Sequence, residues 1–140
     1  LYTKGKSYDE IQLGDSASFT KTITETDVYL FAGISGDFNP MHVDEEYAKK
    51  TPFGKRIAHG GLAASLLAPV LGMKLPGLGT VALDSSVQYR KPVFFGDTIT
   101  CEVKAIEKQD RIKAIRFKVL WTNQNGETIA KGEARAVPPT

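Results

Sequence analysis

A chain of 140 residues is one domain's worth of sequence, since compact domains run most often to roughly 100–150 residues, and a second full domain is not expected. Hydrophobic residues make up 41% and charged residues 24%, which is enough apolar material for a core and gives no compositional ground for disorder. The formal charge of +2 is too balanced to advertise a nucleic acid or a membrane surface as partner, so any bound anion must be met by local cations. The single cysteine, Cys101, excludes an intramolecular disulfide framework. No apolar run approaches the ~18 residues of a membrane span, and the first residues lack the apolar core of a signal peptide. The cytoplasm is the expected compartment.

Ala17, Phe19 and Ile23 mark a short first strand. Thr24-Glu25-Thr26-Asp27 then reads as a helix start, a hydroxyl cap with an acid three residues on, followed by Val28, Leu30, Phe31 and Ile34 and a stop between Gly33 and Gly36. A second helix is expected from Gly60 to Lys74, apolar nearly all round and so destined for the interior, with Pro69 inside it as a source of a kink. Leu75-Pro76-Gly77-Leu78-Gly79 is a turn. Thr80 to Arg90 makes the next strand, with Val81, Leu83, Val87 and Tyr89 in phase. Strict alternation continues in Ile99-Cys101-Val103-Ala105, in Ile115-Phe117-Val119-Trp121 and in Ala130-Gly132-Ala134-Ala136, the habit of antiparallel strands with one face on a core. Asn125-Gly126 joins the last two runs as a hairpin. About five strands and one buried helix predict an α+β fold, a sheet wrapped around a helix, with dimerisation as the obvious cover for what a single layer leaves open.

The chemistry concentrates in Ser35-Gly36-Asp37-Phe38-Asn39-Pro40-Met41-His42-Val43-Asp44. A carboxylate and an imidazole five residues apart in a loop shaped by Gly36 and Pro40 can hold and activate one water between them. The same Asp and Asn also serve Asx turns, so both readings stand. Asp37, His42 and Asp44 are potential metal ligands, but no second ligand cluster accompanies them, and no metal is expected. His59-Gly60-Gly61 precedes the buried helix. Two glycines there either permit tight packing or expose N–H groups as an oxyanion site, and His59 itself reads as a structural histidine. Arg90 and Lys91 end a strand, where they either solvate it or grip phosphate. Cys101 and Trp121 read as core.

At these residues the sequence resembles the MaoC-like dehydratase family, specifically its short single-domain (R)-specific enoyl-CoA hydratases. The matching text is Ser35 to Asp44, Thr51-Pro52-Phe53-Gly54, Ile57 to Leu62, Tyr89 to Val93 and Gly96-Asp97-Thr98-Ile99, within a likeness from about Tyr8 to Val137. The resemblance implies a hot-dog fold over residues 1–140, a homodimer with a continuous sheet, an acyl-CoA substrate and no metal or redox cofactor. It implies reversible syn addition of water to a trans-2-enoyl-CoA, giving the (3R)-3-hydroxyacyl-CoA, in fatty acid or polyhydroxyalkanoate metabolism. Asp37 and His42 match the catalytic pair, with the split between acid and base open. Asn39, with Ser35 in the same motif, matches a supporting position, and Gly60, with Gly61 beside it, matches the donor to the thioester oxygen. Gly61 stands where the family usually has a methionine-like residue, which is expected to loosen the helix start and widen the site. Ala63, Ala64 and Ala68 fall on the helix that lines the acyl tunnel, and Arg90 and Lys91 are the first candidates for CoA phosphates. An acyl-CoA thioesterase on the same fold and a non-catalytic acyl-thioester binding module are the alternatives.

Overall fold

The computed structural model describes the whole chain, Leu1–Thr140. In order, the elements are β1 (Ser16–Thr22), α1 (Glu25–Ser35), α2 (Pro40–Val43), α3 (Glu45–Ala48), α4 (Gly60–Ala64), α5 (Leu67–Met73), β2 (Val81–Tyr89), β3 (Thr98–Gln109), β4 (Ala114–Thr122) and β5 (Thr128–Val137). The five strands form one antiparallel sheet in the order β1-β3-β4-β5-β2. Its inner face meets α4 and α5. Trp121, Phe117, Ile115, Ile99 and Val103 from the sheet enclose Leu66, Val70 and Leu71 from the helices in one continuous core. Cys101 and Trp121 are fully buried in it, as their phase predicts. No helix is long and apolar enough to cross a membrane.

Local signals set the element ends. Thr24 and Asp27 form a reciprocal capping box at the start of α1, Asp27 N–H donating to Thr24 Oγ1 at 3.1 Å and Thr24 N–H to Asp27 Oδ2 at 2.9 Å. At the other end Gly36, at φ 81°, turns the chain into the left-handed region that stops a helix. The face of α1 differs from the expected one. Val28 and Ala32 are buried, whereas Leu30 and Ile34 face outward at 61% and 85% exposure.

The central helix is not one rod. It breaks at Ser65-Leu66, four residues ahead of Pro69 rather than at it. Pro69 has no N–H for the Ser65 carbonyl and its ring crowds that oxygen, so the chain tightens locally. Ala68 N–H donates to Ser65 C=O at 3.0 Å and Leu66 N–H to Ala63 C=O at 3.2 Å.

In β2 the expected single phase also fails. A bulge between Ala82 and Asp84 leaves Leu83 as the extra residue. Val87 and Tyr89 pair with Gly132 and Ala130 on the core phase of β5, while Val81 pairs with Val137 on the other. As an edge strand β2 remains largely exposed. The Asn125-Gly126 hairpin forms as expected, with Gly126 at φ 74° and Gly126 N–H donating to Asn123 C=O at 3.0 Å.

Candidate active site

The loop after α1 is shaped by a ladder of side chains, each accepting from the N–H two residues ahead. Ser35 Oγ accepts from Asp37 N–H at 3.1 Å, Asp37 Oδ1 from Asn39 N–H at 3.1 Å, and Asn39 Oδ1 from Met41 N–H at 3.0 Å. Asn39 thereby caps α2, with Pro40 in its first turn. Only one carboxylate oxygen of Asp37 is spent on this. The other, Oδ2, stands 3.8 Å from His42 Nε2, too far for a direct hydrogen bond and the right span for one water to touch both. The turn-forming and water-holding readings of Asp37 are therefore compatible.

His42 projects from α2 into the interior, its side chain 8% exposed against 51% for Asp37. Its Nδ1 lies 2.7 Å from the Ile57 carbonyl. A carbonyl only accepts, so Nδ1 carries the hydrogen and Nε2 presents a lone pair toward Asp37 in the neutral ring. Ile57 is held in turn by a bridge to Phe94, and Ala58 N–H donates to Val93 C=O at 2.7 Å. Arg56, next in line, reaches Glu45 at 3.0 Å, Tyr29 Oη at 2.7 Å and Glu25 at 3.2 Å. This cluster lashes the segment to α1 and α3. Hydrogen bonds from Tyr29 and Arg56 hold the Glu25 carboxyl below its ordinary range.

His59 is structural, as its context predicts, but its placement was not legible. Its Nε2–H donates to the main-chain carbonyl of Asp37 at 2.9 Å, and its ring stacks on His42 with centroids 3.9 Å apart. Phe31 backs it from another side at 4.8 Å. Asp37, His42 and His59 offer ligand atoms within 4.8 Å of one another. Asp44 is not in this group, because it caps α3 by accepting from Tyr47 N–H at 3.1 Å. The two imidazole planes are stacked and inclined by only 29°, so their in-plane lone pairs do not converge on an ion at ~2.1 Å from each.

A cavity of about 560 Å³ opens beside His42, walled by Met41, Gly60, Ala63, Tyr89 and Val93 among others. Gly60 and Gly61 are the first residues of α4, with no side-chain cap, and their N–H groups are free of the helix ladder. A Cβ on Gly60 would lie 2.8 Å from the Tyr89 ring, so Tyr89 rests directly on this glycine. Beside Gly61 the Phe31 ring fills the room, 3.1 Å from where a Cβ would be. The expected widening at Gly61 is thus closed by Phe31.

Arg90 and Lys91 both reach the cavity wall. Lys91 pairs with Glu127, while Arg90 makes only a 3.4 Å contact with Gln88 Oε1. The three alanines separate. Ala63 lines the cavity with His42, whereas Ala64 and Ala68 line another groove of about 400 Å³ with Leu71 and Leu83, between the helices and β2. Ala63 and Ala64 are consecutive in α4 and so face about 100° apart, while Ala64 and Ala68, four residues apart, stay on one side.

The sequence profile of the MaoC like domain matches residues 10–125. The chain belongs to the MaoC-like dehydratase family. This MaoC-like chain is similar to the (R)-specific enoyl-CoA hydratase of Rhodospirillum rubrum, 42% identical over 132 residues that make up 94% of this chain and 91% of that protein. It is 36% identical to the (R)-specific enoyl-CoA hydratase of Aeromonas caviae, over 91% of this chain and 96% of the relative. Among solved structures, the unliganded R-hydratase PhaJ1 of Pseudomonas aeruginosa superimposes with a TM-score of 0.91 at 37% identity, covering 96% of this chain and 86% of that one. The A. caviae (R)-hydratase, described as involved in PHA biosynthesis, follows at 0.89 and 35%, covering 92% and 98%. The sheet packed around the central helix is the hot-dog fold of these proteins.

Proposed function

We propose that the protein is an (R)-specific enoyl-CoA hydratase, a lyase adding water to trans-2-enoyl-CoA and removing it in reverse. The observation that carries this is the 3.8 Å gap between Asp37 Oδ2 and His42 Nε2 at a cavity, whose wall includes the unladdered N–H of Gly60. One water in that gap donates to both acceptors and is aimed at C3 of the bound enoyl group. As its oxygen bonds to C3, an O–H bond breaks and the Asp37–His42 pair holds the proton. Charge moves onto the thioester oxygen, where the Gly60 N–H, with Gly61 beside it, stabilises it. Its collapse delivers the electron pair to C2, which takes the proton on the same face. Both side chains face the same water, and either can hold its proton. Asn39 and Ser35 hold the loop in register.

The acyl group occupies the cavity past Ala63, and the groove at Ala64 and Ala68 takes longer chains. Arg90, the less committed of the two cations, meets a CoA phosphate, with Lys91 released from Glu127 as the second. The whole chain acts as one domain, in the reducing interior of the cell, in fatty acid or polyhydroxyalkanoate metabolism. A homodimer is part of this reading. Val81, Leu83 and Tyr89 on the free edge strand are 62%, 45% and 55% exposed, an apolar edge that a second copy would cover by continuing the sheet. Loss of enoyl-thioester absorbance with crotonyl-CoA tests the activity. Release of free thiol instead would favour a thioesterase, and binding without turnover a carrier module. A solution mass equal to one 15.3 kDa chain would contradict the dimer.

A further inference from the structure

We propose that His59 is a positioning residue for the reaction, a single buried ring that fixes both Asp37 and His42 and so sets the gap between their reacting atoms. The inference rests on the hydratase reading of that pair.

The ladder of turns from Ser35 to Met41 gives the loop its shape. It does not place Asp37 against the rest of the fold, since every rung spans two residues. The long-range tether on Asp37 itself is the 2.9 Å hydrogen bond from His59 Nε2 to its carbonyl, across 22 residues of sequence, while at the ladder's far end Ile57 N–H donates to the Met41 carbonyl at 3.2 Å. Two residues earlier, the Ile57 carbonyl fixes the His42 ring at 2.7 Å. Residues 57–59 therefore grip both halves of the pair from one short segment. That segment is anchored to the fold by the Ile57–Phe94 bridge and the Ala58–Val93 hydrogen bond.

The His59 ring also bears on the face of His42 at 3.9 Å, backed by Phe31 at 4.8 Å, which limits tilting of the His42 imidazole. The other ring nitrogen, Nδ1, is buried with no hydrogen-bond partner, and the residue is only 2% exposed. With Nε2–H committed to the Asp37 main-chain carbonyl and Nδ1 without a hydrogen-bond partner, neither ring nitrogen is bonded to the Asp37 carboxylate or to the His42 ring. It acts by placement.

The test compares His59→Gln with His59→Met, side chains of similar size of which only Gln keeps a donor for the Asp37 carbonyl. Hydration of crotonyl-CoA by His59→Met loses about 100-fold in kcat with KM within about twofold, the signature of a misplaced reacting group. His59→Gln recovers about tenfold of that loss. Equal kcat in the two variants, or a loss carried by KM, overturns the proposal. Phe31→Leu withdraws the backing ring without touching the hydrogen bond and lowers kcat in the same direction; wild-type kcat there removes the stacking half of the claim. Asp37→Asn is run alongside. If it hydrates at the wild-type rate, the reading of the pair fails. If it is slow while Gln and Met behave alike, only the role of His59 fails.

Discussion

Asp37→Asn separates what this side chain does for the loop from what it does for the water. Asparagine keeps Oδ1, so the 3.1 Å acceptance from Asn39 N–H survives, and the main-chain carbonyl still receives His59. The loop should stand. What changes is the atom 3.8 Å from His42 Nε2, where a carboxylate oxygen becomes an NH₂ that competes with the water for the same lone pair. A negative charge at that distance stabilises a developing imidazolium by about 4 kcal/mol at an effective dielectric of ~20. Asp37 is half exposed, and solvent screening roughly halves the figure to ~2 kcal/mol, about 30-fold in rate. Loss of a proton acceptor from the pair adds about 100-fold. We expect crotonyl-CoA hydration to fall by at least about 100-fold, with the thermal midpoint within about 2 °C of wild type. A rate within threefold or so of wild type would refute the role of Oδ2, since general acid–base contributions are far larger than that.

Three other positions in the molecule give further outcomes. Burial pushes the Cys101 thiol from 9.0 up to about 12, so the native protein should resist a thiol reagent at pH 8 and react with one equivalent once unfolded. Because the folded value is raised, the unfolded chain ionises Cys101 first, and stability should fall as pH rises through the window between those two values. Arg90→Ala should raise KM for a CoA substrate roughly fivefold and leave kcat unchanged, the scale of one exposed charge on a phosphate; an unchanged KM would remove Arg90 from the carrier site. Thr24→Ala deletes the acceptor for Asp27 N–H and should cost about 1 kcal/mol, lowering the thermal midpoint by about 3 °C in a chain of this size.

Signals confined to a few neighbouring residues were readable in the sequence. The Thr24 cap, the Gly36 stop, the Asn125-Gly126 hairpin and the alternation through β3 and β4 depend on backbone preferences and on a period of two. The Asp37–His42 proximity was readable for the same reason, since five residues of turn-forming sequence bring the two together. What was missed depends on the third dimension. Pro69 names a kink, but the lost bond belongs to Ser65, which moved the break, and adjacent positions of α4 turned Ala63 to the cavity and Ala64, with Ala68, to a different groove. Apolar residues on α1 were visible, yet which of them face inward is decided by the layer beneath, so Leu30 and Ile34 turned out exposed. The bulge at Leu83 carries no proline or glycine to announce it. Phe31 filling the space beside Gly61, Tyr89 over Gly60 and His59 stacked on His42 join distant positions, and no spacing encodes them.

The product itself reports whether Asp37 and His42 deliver water and proton to one face of the substrate. Crotonyl-CoA incubated with the protein in D₂O, followed by chiral analysis of the 3-hydroxybutyryl thioester, reads both the face of attack and the fate of the proton. One pair serving one face predicts the (3R) product with a single deuterium at C2, added syn to the new hydroxyl. A (3S) product, or deuterium added anti, would contradict a water and a proton delivered together by Asp37 and His42.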